Sequence, residues 1–114
     1  MAPKRCTIFS ICEKNTGIVR SVSMTNSSYF GARNRHIYFC GKPSTVAYNS
    51  PLYRYIRAHG GFNEFEFNVL EMVLTPNFTD QKRRKAYYRD LYSDTIISNE
   101  LQLAYFSIRE KKTQ

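Results

Sequence analysis

Ser50-Pro51-Leu52-Tyr53-Arg54-Tyr55-Ile56-Arg57-Ala58-His59-Gly60-Gly61, and just beyond it Glu64-Phe65-Glu66-Phe67-Asn68-Val69, form the stretch whose reading decides the fold class. Ser50 carries the side-chain oxygen that a helix N-cap needs, and Pro51 suits the first helical position, where its missing N–H has no partner anyway. Gly60-Gly61 supplies a stop. Leu52, Tyr55, Ile56 and His59 recur at three- and four-residue spacing and fall on one face, with Arg54 and Arg57 sharing the opposite side. Past the glycines the period changes to two. Phe65, Phe67 and Val69 alternate with polar residues as in a half-buried strand, which runs on through Leu70-Glu71-Met72-Val73 until Pro76 ends it. A helix followed at once by an amphipathic strand points to a mixed fold.

Working outward, Cys6-Thr7-Ile8-Phe9-Ser10-Ile11-Cys12 is apolar and β-branched, and Ile18-Val19-Arg20-Ser21-Val22-Ser23-Met24 alternates. The turn residues Glu13-Lys14-Asn15-Thr16-Gly17 between them predict an antiparallel hairpin. Residues 25–36 are polar and take no assignment, and Ile37-Tyr38-Phe39-Cys40 is a short apolar run ended by Gly41 and Pro43. After Pro76, Thr79 is the expected cap of a second helix reaching about Tyr92. Ala86, Tyr87 and Leu91 are expected on its core side, and Lys82, Lys85 and Arg89 on a separate face. In the tail Leu101, Leu103, Tyr105 and Ile108 suggest a last strand at a sheet edge. The expectation is an α+β domain over residues 1–114, a small antiparallel sheet of three to four strands with helices packed on it, and short flexible ends at about 1–4 and 110–114.

At 114 residues, 42% hydrophobic and 15% aromatic, the chain has apolar material for one core. Seventeen Lys and Arg against nine Asp and Glu give a net charge of +8, a field that attracts polyanions, nucleic acid first. Cys6, Cys12 and Cys40 are odd in number, lack C-x-x-C spacing, and read as buried thiols of an intracellular protein. His36 and His59 are isolated, so no metal site and no cofactor is expected, and both histidines read as structural. The start Met1-Ala2-Pro3-Lys4-Arg5-Cys6 has no apolar segment of a signal peptide, and no run approaches the ~18 apolar residues of a membrane span. No membrane partner is therefore expected.

Three segments together resemble a known family. Leu52-Tyr53-Arg54-Tyr55-Ile56-Arg57-Ala58-His59-Gly60-Gly61-Phe62, then Phe65-Glu66-Phe67-Asn68-Val69-Leu70-Glu71, then Arg83-Arg84-Lys85-Ala86-Tyr87-Tyr88-Arg89-Asp90-Leu91, are similar to the second half of a GIY-YIG nuclease domain. Their texture is that of copies in large DNA viruses of amoebae, such as the Marseillevirus group. The likeness covers residues 50–92 well and the first forty residues weakly. It implies a GIY-YIG-like fold, a viral protein, and a place in the host cytoplasm or nucleus or packaged in a virion. Active members use a Tyr from each of the first two strands, an Arg after the hairpin and a metal-ligating Glu in the last helix. On this alignment Phe9 replaces the first Tyr, no Tyr survives near Arg20-Ser21-Val22, Arg33 or Arg35 stands for the Arg, and Lys85 falls on the Glu. An ammonium would repel the cation that the Glu should hold. The resemblance thus implies a pseudo-enzyme with no catalytic residues. A still-active endonuclease would need a relocated carboxylate, Glu71 or Asp90.

The candidate nucleic-acid-binding residues are Lys82, Arg83, Arg84, Lys85 and Arg89, then Arg54 and Arg57, then Arg33 and Arg35, with DNA favoured over other polyanions. The run Lys82-Arg83-Arg84-Lys85 also has the form of a nuclear-import signal, and such runs often only solvate a helix. Tyr55 and Tyr87 are expected in the core, with Tyr53 and Tyr88 left open between packing and base stacking. Seventeen aromatics are many for so small a core, so the alternative is a homodimeric protein-interaction or assembly module whose charge serves solubility.

Overall fold

The computed structural model describes residues 4–97. Its elements run β1 (Lys4–Glu13), β2 (Val19–Thr25), α1 (Tyr29–Gly41), a 3-10 turn (Val46–Asn49), α2 (Pro51–Ala58), a second 3-10 turn (Phe62–Glu64), β3 (Phe65–Thr75) and α3 (Phe78–Leu91). The strands form one antiparallel sheet in the order β2-β1-β3 with the three helices packed on it, so the fold is α+β as expected. Of the expected flexible ends, Lys4 begins β1, paired with Thr75, and the rest lie outside the described residues, as does the strand expected at Leu101–Ile108.

β1 is buried along its middle because it is central and covered on both faces. Every residue from Cys6 to Cys12 is buried, and a strand with no wet side has no reason to alternate. Ile8 points to one face with Cys6 and Cys12, meeting Val22, Leu70, Val73, Tyr88 and Tyr92. Ile11 points to the other, meeting Leu52, Tyr53, Ile56 and Phe65. The sheet therefore has α3 on one side and α1 with α2 on the other. Cys6, Cys12 and Cys40 are all buried and unbridged.

Two β-bulges shape the edge strands. In β2 the register passes from Ile11↔Ser21 to Cys12↔Val19, leaving Arg20 as the extra residue. In β3 it passes from Ile8↔Glu71 to Phe9↔Val69, leaving Leu70 unpaired. Because side chains alternate with period two, one extra residue exchanges the faces beyond it. The alternation read over Glu64–Val69 ends there although the strand runs on as expected, and Leu70, Glu71 and Val73 all serve the α3 side.

The helices correct the sequence reading in three places. Residues 29–41, read as unassigned polar chain and a short apolar run, form a single helix capped by Ser28, whose Oγ accepts from the Gly31 N–H at 3.2 Å. On α2 the cap at Ser50 and Pro51 at the start are as expected, and Gly60 ends the helix region at φ +99°, backbone that disfavours a side chain. Its buried stripe, however, is Leu52, Tyr53 and Ile56, while Tyr55 is half-buried and His59 exposed, their rings stacked at 3.8 Å. On α3 the cap is Asn77, whose Oδ1 accepts from the Thr79 N–H at 2.8 Å, and Thr79 lies inside the helix. Ala86, Tyr87 and Leu91 face solvent. The helix packs instead through Gln81, Tyr88 and the following Tyr92.

Candidate nucleic-acid interface

Between Lys14 and Asn63 the chain contains no Asp or Glu, yet it carries Lys14, Arg20, Arg33, Arg35, Lys42, Arg54 and Arg57. That segment supplies β2, α1 and α2, so the layer built by α1 and α2 has basic residues and no carboxylate of its own. Arg33, Arg35, Lys42 and Arg54 are exposed there, and none forms an ion pair among the described residues. Arg57 is different. Its Nη1 donates to the Cys40 carbonyl and its Nη2 to the Tyr48 carbonyl, both at 2.7 Å, and the guanidinium lies 3.6 Å from the Tyr48 ring centroid. It ties the end of α1 to the first 3-10 turn and has little left for a ligand. Arg20 is likewise bound to Glu13 at 2.6 Å and to the Thr95 carbonyl at 3.2 Å.

The basic run on α3 divides in two. Lys82, Arg83 and Arg89 face outward, with Arg83 74% exposed in a loose 3.6 Å pair with Asp80 and Lys82 lying 5.0 Å from the Phe78 ring centroid. Arg84 turns toward the sheet, donating from Nε and Nη2 to the Glu71 carboxylate at 2.9 and 2.6 Å, and the Tyr88 hydroxyl donates to the same carboxylate at 2.8 Å. The Arg84 bonds hold the Glu71 carboxyl below its usual range against partial burial, with Tyr88 assisting. Lys85 is half-buried near Cys6, and burial, with Arg89 and Lys82 adding repulsion, lowers its pKa. A fork on a carboxylate is a packing device as much as a charge, and it removes Arg84 from the free cations.

Of the positions that the resemblance would gather into a catalytic site, Phe9 and Arg33 meet at the Phe67 ring, at 6.3 and 5.6 Å, but Lys85 does not join them. Phe9 is 1% exposed and packs edge-on against Tyr29 and His36 at ring distances of 5.5 and 5.8 Å on the α1 side. Lys85 lies on the α3 side, with the sheet between them. Of the two candidates for a relocated carboxylate, Glu71 is held by Arg84 and Tyr88, and Asp90 is exposed on α3. Among the described residues no group of three His, Cys, Asp or Glu could hold a metal ion, and no helix is long and apolar enough to cross a membrane.

His36 makes a 2.7 Å hydrogen bond between its Nδ1 and the Tyr53 hydroxyl under the Phe9 and Phe67 rings. Burial, helped by the charge of Arg35, pushes its pKa down to about 4. The ring is neutral at pH 7 and serves the packing, as the sequence led us to expect. Tyr53, open between packing and stacking on sequence grounds, is part of the same buried pair, and burial raises its pKa.

One feature is invisible in the sequence because α1 is. Between α1 and β3 lies an open cleft of about 360 Å³ whose lining includes Lys14, Arg33, Glu66 and the rings of Tyr29, Phe62 and Phe67. Tyr29, Arg33 and Ile37 are successive turns of one helix face, a spacing visible only once residues 29–41 are known to be helical.

No protein-family model, curated protein or solved structure matches the chain.

Proposed function

We propose that this chain is a non-catalytic nucleic-acid-binding protein whose contact surface is the carboxylate-free layer of α1 and α2. The observation that carries the reading is the set of exposed, unpaired cations Arg33, Arg35, Lys42 and Arg54 in a segment without one Asp or Glu. Phosphates approaching that layer meet positive charge and no carboxylate from its own helices, with Glu66 the acidic neighbour on the β3 side, and each neutralised phosphate releases counterions, which drives binding. Lys82, Arg83 and Arg89 on the far side of the sheet form a second, smaller patch with Asp80 and Asp90 beside it. The resemblance to GIY-YIG nucleases supports a DNA partner, and the burial of Phe9 and the engagement of Glu71 support the absence of cleavage. A titration against duplex DNA and RNA at several salt concentrations tests the reading. Affinity that falls steeply with salt supports it; affinity independent of salt, or none, rejects it.

One observation favours the second reading, an assembly module. β3 pairs only with β1 among the described residues, and Val69, Met72 and Leu74 stand exposed along it, Leu74 at 70%. A long strand with an open edge and an apolar face is a template for a second chain.

A further inference from the structure

The cleft between α1 and β3 differs in kind from the cationic layer around it. Phe62 and Phe67 stack on each other, their rings 17° from parallel and their centroids 5.3 Å apart, and this stack forms one side of the cleft. Arg33 stands over the Phe67 ring with its guanidinium carbon 5.6 Å from the centroid. Lys14 enters from the hairpin, held by one bond from its Nζ to the Asn63 carbonyl at 2.7 Å, which leaves two ammonium hydrogens unused. Glu66 also lines the cleft, so the two cations there outnumber one carboxylate, and an aromatic stack beside them suits a ligand that carries a flat ring and more than one anion. The volume falls within the ~300–1,000 Å³ of small-ligand sites and exceeds what a side chain needs.

We infer that the cleft takes one unstacked nucleobase of a single-stranded nucleic acid, which extends the Phe62–Phe67 stack, with Lys14 and Arg33 on the neighbouring phosphates. This rests on the nucleic-acid reading above and adds to it. The cationic layer alone binds phosphate whatever the bases do, whereas the cleft requires a base free of its pair. A duplex keeps its bases stacked inside and offers the cleft nothing.

The test uses the full chain and four labelled ligands in fluorescence anisotropy at one fixed salt concentration. They are a decathymidylate strand, its uridylate counterpart, an abasic strand with the same phosphates, and a duplex of the same length. The thymidylate strand should bind roughly tenfold tighter than the abasic strand, the scale of one base on an aromatic ring. Phe62→Leu, which keeps an apolar group at a half-buried position, should abolish that difference and leave abasic binding nearly unchanged, with a modest fall in melting temperature from the packing lost against Tyr53 and Phe67. The uridylate arm shows whether the ribose is accepted. Equal binding of thymidylate and abasic strands, or a thymidylate preference that survives in Phe62→Leu, overturns the cleft inference and leaves the nucleic-acid reading standing. Absence of binding to all four overturns both.

Discussion

At the scale of single residues, two arginines one helical turn apart do different work. Arg54 is exposed and unpaired, whereas Arg57 donates to the carbonyls of Cys40 and Tyr48. Arg57→Ala leaves two partly buried acceptors without a donor, at a cost of about 1–3 kcal/mol in chemical denaturation. Arg54→Ala should leave stability within about 0.5 kcal/mol and weaken nucleic-acid binding instead. Equal stability losses in the two variants would contradict this assignment. His36 sets a second expectation at this scale. Its folded pKa of about 4 lies below the 6.5 of the free side chain, so between those values the unfolded chain binds the extra proton. Stability is therefore full above pH 6.5 and declines as pH falls toward 4, by roughly 2–3 kcal/mol in all. The carboxylates Glu13 and Glu71, whose pKa values are lowered by Arg20 and Arg84, lose their contributions only below pH 4.5. Thermal melts of the parent and of His36→Gln between pH 7 and pH 4.5 separate the two, because the variant should show a nearly flat profile in that window.

At the scale of elements, helix faces decide which charges are available. The sheet separates α3 from α1 and α2, so the basic residues named from the sequence form two surfaces. Replacing Arg33, Arg35, Lys42 and Arg54 together by Ala should lower the log–log salt slope of binding by about 0.9 for every phosphate that is no longer neutralised. Replacing Lys82, Arg83 and Arg89 should lower it less, since Asp80 and Asp90 already weaken that field. The reverse order would move the interface to α3. The legibility of each element follows from what it buries. α2 and β3 are readable because apolar Leu52, Ile56 and Phe65 mark their inner faces. α1 is not, because its inner face carries Tyr29, Ala32, His36 and Cys40 while Phe30, Ile37 and Tyr38 face outward. α3 is legible as a helix but not in its orientation. Tyr87 and Leu91 are outside, and Gln81, 2% exposed, accepts from the Asn26 side chain at 2.8 Å inside.

At the scale of the whole molecule, the two readings make separate claims. Purified protein with Mg²⁺ or Mn²⁺ should leave plasmid DNA intact, since Phe9 and Lys85 lie on opposite sides of the sheet and Glu71 is engaged. Metal-dependent nicking that disappears in Glu71→Ala would overturn the non-catalytic reading. If the β3 edge pairs two chains, light scattering should give twice 13.4 kDa, and Leu74→Lys on the exposed strand should return the monomer. A monomer at all concentrations would remove that reading. The sequence by itself determined the α+β class, the N-terminal hairpin, the capped helix at Ser50, the strand after Gly61 and the excess of positive charge, because each is written in local periodicity or composition. Tertiary structure alone decided the helix at residues 29–41, the orientation of α3, the bulge at Leu70 and the division of the basic residues into bound and free. The reason is physical. Those features depend on polar contacts between residues far apart in the chain — His36 with Tyr53, Arg57 with Cys40, Arg84 with Glu71, Gln81 with Asn26 — and a polar side chain shows which way it faces only when its partner has been brought to it.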